Sequence, residues 1–137
     1  MENQVDDKTS ETLSLGRFVK TYQKSELVFE EGTTGNEMYL IHSGKVKLSM
    51  KNDGAKERSI AVLNPGAFFG EMALMDNQKR SATAIAMEYN TKLIVLDKAK
   101  FIFMVQQQPT FALSLMHTLC KRLRELNSRL SSEGGTE

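Results

Sequence analysis

Glu71 and Arg80 stand nine positions apart in the run FGEMALMDNQKRSATAIA, residues 69–86. An exposed ion pair there would contribute almost nothing to stability, so the two residue types point to ligand chemistry. Arginine presents a planar fork of donors that matches a phosphate, whereas an ionised glutamate only accepts hydrogen bonds and suits a sugar hydroxyl. A ribose joined to a phosphate satisfies both. Ser81, next to the arginine, adds a hydroxyl donor for the same oxygens. Gly66 and Gly70 permit tight turns, and Met72, Ala73, Leu74 and Met75 are helix formers. The pattern predicts a one-turn helix starting near Glu71. Its free amides would form an anion site, with glycine at the lip letting a ligand approach the main chain.

These residues need a frame. From Glu26 to Asp97 the chain is a series of short apolar runs cut by glycine: ELVFEEG, MYLIHSG, KVKLSMKNDG, RSIAVLNPG, FFG, RSATAIAMEYN and TKLIVLD. Regularly spaced short strands of this kind predict an antiparallel sandwich or barrel. NDG at 52–54 signals a hairpin turn, and NPG at 64–66 a second turn centred on Pro65 and Gly66. Before the strands, residues 1–12 form an expected disordered arm, and Leu13, Leu15, Phe18, Val19 and Tyr22 give a helical pattern over Leu13–Gln23.

After Asp97, a candidate N-cap, KAKFIFMVQQQ predicts a helix over about 98–108, ended by Pro109. A longer helix over about 110–132 carries Ala112, Met116, Leu119, Leu123, Leu126 and Leu130 at alternating spacings of four and three. That stripe fits either packing on the chain's own barrel or a dimer seam. Phe111 and Leu115 add a second apolar edge to its early half, and the chain closes in SSEGGTE, with an expected flexible tail over 133–137.

At 137 residues the chain is about one domain, and its formal charge of +1, from 18 basic and 17 acidic residues, supplies no global field for nucleic acid. The N-terminus lacks the pattern of a secretory signal, and no apolar run approaches membrane-spanning length, so a cytoplasmic location and no membrane partner are expected. Cys120 is the only cysteine, which excludes an internal disulfide and fits a small buried apolar residue. His42 and His117 have no grouped carboxylates or thiols, so no metal site is expected, and no nucleophile–base arrangement indicates an enzyme. The eight methionines are expected as core filler.

FGEMALMDNQKRSAT resembles the phosphate-binding cassette of cyclic nucleotide-binding domains, found in the bacterial catabolite activator protein, the regulatory subunits of cyclic AMP-dependent protein kinase and gated channels. FEEGTTGNEMYLIHSGKV is similar to the glycine-punctuated hairpin region of those domains, and LNPGAFFGE to their lead into the cassette. The resemblance covers about Phe18–Ser132. It implies a mainly β fold with flanking helices (α+β): an antiparallel β-roll or jelly roll over about 26–97, a cassette helix, an N-terminal helix and a long C-terminal helix, together one domain over 13–132.

Carried over by the resemblance, Glu71 accepts from the ribose 2′-hydroxyl and Arg80 clamps the cyclic phosphate. Gly70, Met72 and Ala73 offer amides nearby, and Ser81 and Ala82 close over the phosphate. Kinase-type cassettes have proline before the arginine, where this chain has Lys79. In bacterial relatives a Thr and a Ser or Asn on the long helix meet the purine; the matching positions are Leu126, which cannot hydrogen-bond, and Asn127, which can donate to and accept from adenine. Arg122 is a further candidate for the base, against a plain reading as a solvated charge.

The resemblance implies a cyclic nucleotide receptor, cyclic AMP preferred on family grounds and cyclic GMP possible through Ser81. Occupancy would reposition the C-terminal helices to regulate a protein partner or a homodimer. Two alternatives stand beside it: an interaction module with a vestigial pocket, and a fragment of a transcription regulator of the catabolite-activator type. The nearest family members carry a DNA-reading helix-turn-helix after this point, and with none before Glu137 no direct DNA binding is expected.

Overall fold

Alternating β-branched and aromatic residues separated by turn residues produce eight strands among the described residues, because each run can bury one face and turn the other outward. The structure, a computed structural model, describes residues 18–51, 56–76 and 78–134. The chain divides into two compact units, Met1–Lys98 and Ala99–Glu137.

In the first unit the strands are β1 (Val19–Tyr22), β2 (Leu27–Phe29), β3 (Met38–Ser43), β4 (Val46–Lys51), β5 (Glu57–Leu63), β6 (Phe68–Phe69), β7 (Thr83–Ala86) and β8 (Thr91–Leu96). They form two four-stranded sheets, ordered β1-β8-β3-β6 and β2-β7-β4-β5, and every pairing is antiparallel. This is the expected jelly roll. The core draws on both sheets: Tyr22, Tyr39, Ile41, Phe69 and Leu93 from the first, Val46, Ala84 and Ala86 from the second. Phe29 joins Tyr39 and Phe69 in an aromatic triad, with ring centroids 5.1–5.8 Å apart. Such tilted and offset pairs add to the area they bury.

The turns form as their residues demand. Asn64–Ala67 is a turn closed by a 3.0 Å bond from the Ala67 amide to the Asn64 carbonyl, with Gly66 at φ +92° after Pro65. That is the type II arrangement, in which the third residue needs the left-handed region. The NDG segment lies outside the described residues, yet Lys51 pairs with Glu57 across it in the antiparallel β4–β5 ladder.

One expected element changes. Val19–Tyr22 is not helical but strand β1, paired from Val19↔Ile94 to Tyr22↔Thr91 with β8. Val19 and Thr21 are β-branched, and the ladder to β8 satisfies a backbone that local helical periodicity would have satisfied otherwise. Residues 1–12, the expected arm, and 13–17, the start of the expected helix, lie outside the described residues.

The cassette helix is α1 (Glu71–Asp76). In the second unit, α2 (Lys98–Gln107) ends before α3 (Pro109–Gly134), which starts on the proline, where a missing amide costs nothing. Phe101 on α2 and Phe111 on α3 meet at 5.9 Å between ring centroids. The α3 helix runs two residues into the expected tail; 135–137 lie outside the described residues. Leu113, Met116, Leu119, Leu123, Leu126 and Leu130 are exposed along it. Cys120 is exposed as well, contrary to the expected buried position, because it borders this uncovered stripe. The methionines divide: Met38 and Met104 are buried, whereas Met50, Met72 and Met116 are exposed. No helix among the described residues is long and apolar enough to cross a membrane, and no group of three metal-ligating side chains occurs among them.

Candidate functional site

Two sequence-distant segments meet at Arg80. The first is the loop and helix from Gly66 to Asp76; the second is the connection from β2 to β3, residues 30–37. The Arg80 main chain is held on both sides, its amide donating to the Thr33 carbonyl and its carbonyl accepting from the Gly32 amide, each at 2.8 Å. Thr34 and Lys79 form a β-bridge beside them. Nearby, the Glu31 amide donates to the Thr83 hydroxyl at 3.0 Å and the Lys51 amide to a Glu31 carboxylate oxygen at 3.0 Å, which ties this connection to β7 and β4.

Arg80 as a whole is 6 % exposed. Nη1 donates to the Gly70 carbonyl oxygen at 3.1 Å, and the guanidinium carbon lies 4.2 Å from the Phe29 ring centroid and 5.6 Å from that of Tyr39. Burial pulls the guanidinium below its ordinary pKa, while Tyr39 and Glu37 push it back up. Arginine stays charged through such shifts, so the site holds a cation away from bulk water. A charge in that position is costly unless hydrogen bonds and an opposite charge offset it.

Gly70 precedes α1 at φ +77°, a region that side chains disfavour, and a methyl there would come 2.8 Å from Arg80 Nη1. Its conformation turns the chain into α1 while presenting its carbonyl to the arginine. Glu71 is the first residue of α1 and half-buried. Met72 is exposed, Ala73 buried, Ser81 exposed and Ala82 buried. Of the cassette residues expected from sequence, the structure brings Gly70 against Arg80; Glu71, Met72 and Ala73 lie at the start of α1, and Ser81 and Ala82 follow the arginine along the chain. Arg122, half-buried, and Asn127, exposed, lie on α3 in the second unit.

Phe29, Gly32, Thr33, Gly35 and Tyr39 border Arg80 without belonging to the cassette motif. The only signal of this in the sequence was the aromatic residue ahead of the glycine-punctuated FEEGTTG, and nothing in that spacing places it against residue 80.

The chain is similar to known proteins over most of its length. The family described as "Cyclic nucleotide-binding domain" matches residues 19–108. The cyclic AMP receptor protein of Thermus thermophilus is 38 % identical over 111 residues, covering 81 % of this chain and 51 % of that protein. The human cGMP-dependent protein kinase 2 is 33 % identical over 84 residues, 61 % of this chain and 11 % of the kinase. Among solved structures, the catabolite activator protein of Thermus thermophilus superposes with a TM-score of 0.76 at 36 % identity, over 89 % of this chain and 57 % of that one. The chain thus spans about half the length of the bacterial receptor it matches.

Proposed function

The chain belongs to the cyclic nucleotide-binding domain family, and we propose that it is a receptor, not an enzyme, whose ligand is cyclic AMP. The observation that carries this reading is Arg80, a residue only 6 % exposed whose guanidinium donates to a neutral carbonyl. An anionic phosphate supplies the opposite charge that such a group calls for, and its oxygens match the guanidinium fork. Glu71, at the start of α1, takes the ribose 2′-hydroxyl, with Gly70, Met72, Ala73, Ser81 and Ala82 bordering the phosphate. Asn127 and Arg122 are the proposed readers of the base. The similarity to a cyclic AMP receptor supports the ligand choice, and that to a cGMP-dependent kinase makes cyclic GMP the competitor to test.

In this reading the protein is cytoplasmic, and occupancy acts through α2 and α3 on a protein partner or a second copy. That coupling requires two helix arrangements with different ligand affinities, because equal affinity shifts nothing however tight the binding. Calorimetry tests the assignment: the parent binds cyclic AMP saturably and more tightly than cyclic GMP, and Arg80→Ala loses more than tenfold, about 1.5–3 kcal/mol for a charge-assisted bond. An Arg80→Ala variant that binds as well as the parent overturns it.

The exposed stripe on α3 favours a second reading, an interaction module in which the pocket no longer binds. Absence of saturable binding at millimolar cyclic nucleotide selects that reading.

A further inference from the structure

Resting on the assignment of Arg80 as the phosphate clamp, we infer that Phe29 and Gly35, both outside the cassette, are positioning residues that set the guanidinium in place for the anion. The main-chain bonds from Arg80 to Gly32 and Thr33 fix where the side chain starts, not where it points. Its direction is set by three further neighbours. Phe29 lies under the guanidinium at 4.2 Å, Gly70 holds Nη1 through its carbonyl, and Gly35 faces the side that carries Nε and Nη2.

Gly35 is informative because its backbone does not require glycine: it is absent from the positive-φ residues that include Gly32, Gly44, Gly66 and Gly70. What a side chain there would disturb is the arginine. A Cβ at position 35 would lie 2.4 Å from Nε and from Nη2 and 2.5 Å from Cζ, far inside any van der Waals contact. An alanine therefore suits the local chain and displaces the guanidinium. Nε and Nη2 form a donor pair of the fork, and with Nη1 committed to Gly70 they are the pair left to address two phosphate oxygens. The hydrogen at position 35 keeps that side clear of carbon.

Phe29 acts on the opposite requirement. A buried cation without water needs an electron-rich surface, and an aromatic face supplies one while also fixing the orientation of the guanidinium plane. Leucine would fill similar space and supply neither effect.

Two measurements test the inference. The first is cyclic AMP affinity by calorimetry for Phe29→Leu, Phe29→Tyr and Gly35→Ala, each in the parent and in Arg80→Ala. Phe29→Leu and Gly35→Ala weaken binding about tenfold when Arg80 is present and less than twofold when it is absent, and Phe29→Tyr restores parental affinity. Equal losses in both backgrounds mean a merely structural role and overturn the proposal, as does no loss at all. The second is the nuclear magnetic resonance signal of the Arg80 side-chain N–H protons. In the unliganded parent they are displaced to high field by the Phe29 ring current, and in Phe29→Leu they return to ordinary positions. This readout is independent of ligand. If the parent binds no cyclic nucleotide, the functional reading fails while a displaced signal still supports the placement; an undisplaced signal overturns the placement whatever the binding result.

Discussion

The Nη1 of Arg80 donates to the carbonyl oxygen of Gly70 at 3.1 Å, closing the ten-residue interval between them. The bond joins the residue immediately before α1 to the arginine that follows it, so the chain enters α1 and leaves it at a fixed separation. In the proposed reading a ligand phosphate would meet an arginine that is already anchored, so that less ordering entropy would oppose binding.

Gly70 carries both a φ of +77° and this carbonyl. Gly70→Ala places a side chain in the left-handed region, at a cost of about 1–2 kcal/mol, and crowds Nη1 at 2.8 Å. The expected result in a thermal melt is a Tm lower by roughly 5 °C, accompanied by weaker cyclic AMP binding. A variant with parental Tm would show that the backbone relaxes out of this conformation.

Thr83 supports the site from below. Its buried hydroxyl accepts the Glu31 amide at 3.0 Å, and Thr83→Val removes that acceptor with little change in shape. Leaving the amide without it costs about 1–3 kcal/mol, which shifts the urea midpoint while the slope m stays unchanged. Retention of the parental midpoint would mean that water replaces the hydroxyl.

Tyr22 and Tyr39 set an alkaline limit on stability. Burial, with Glu37 next in effect, raises each phenol from about 10 to about 12. Between those values the unfolded chain releases protons that the folded chain retains, so stability is complete below about pH 10 and declines as pH rises toward 12. Urea midpoints measured from pH 8 to 12 should follow this course, and Tyr22→Phe or Tyr39→Phe should flatten part of the decline. An unchanged slope in both variants would place the cause elsewhere.

Leu123 tests the use of α3. It is 59 % exposed and lies in the middle of the stripe. Leu123→Gln should alter unfolding stability by no more than ~0.5 kcal/mol, since exposed substitutions rarely do more. In sedimentation velocity the parent should associate with rising concentration and the variant should not. A large loss of stability would mean that the folded chain itself covers this position.

The strands, the turn at Asn64–Ala67, the break at Pro109 and the cassette helix were legible because each is written in local patterns. Period-two alternation, proline and glycine act within a few residues. Val19–Tyr22 was not, since its helical spacing is local whereas its pairing with β8 is seventy residues away, and the ladder prevails over propensity. The cassette exposed Glu71 and Arg80 by residue type, but the surroundings of Arg80 were illegible. Phe29, Gly35 and Tyr39 precede it by more than forty residues, and only the sheet order brings them to it. The stripe on α3 was plain, yet periodicity alone cannot say whether an apolar face is covered.

The anchoring of Arg80 to Gly32 and Thr33 also bears on when the pocket arises during folding. Closing so long a loop is entropically costly, and contacts of high sequence separation form late in chains rich in them. A synthetic peptide of residues 66–86 would therefore carry every cassette residue and bind nothing. If Arg80 is the phosphate clamp proposed above, it can receive an anion only once the two sheets have closed, and a chain stalled before that step would be blind to the nucleotide.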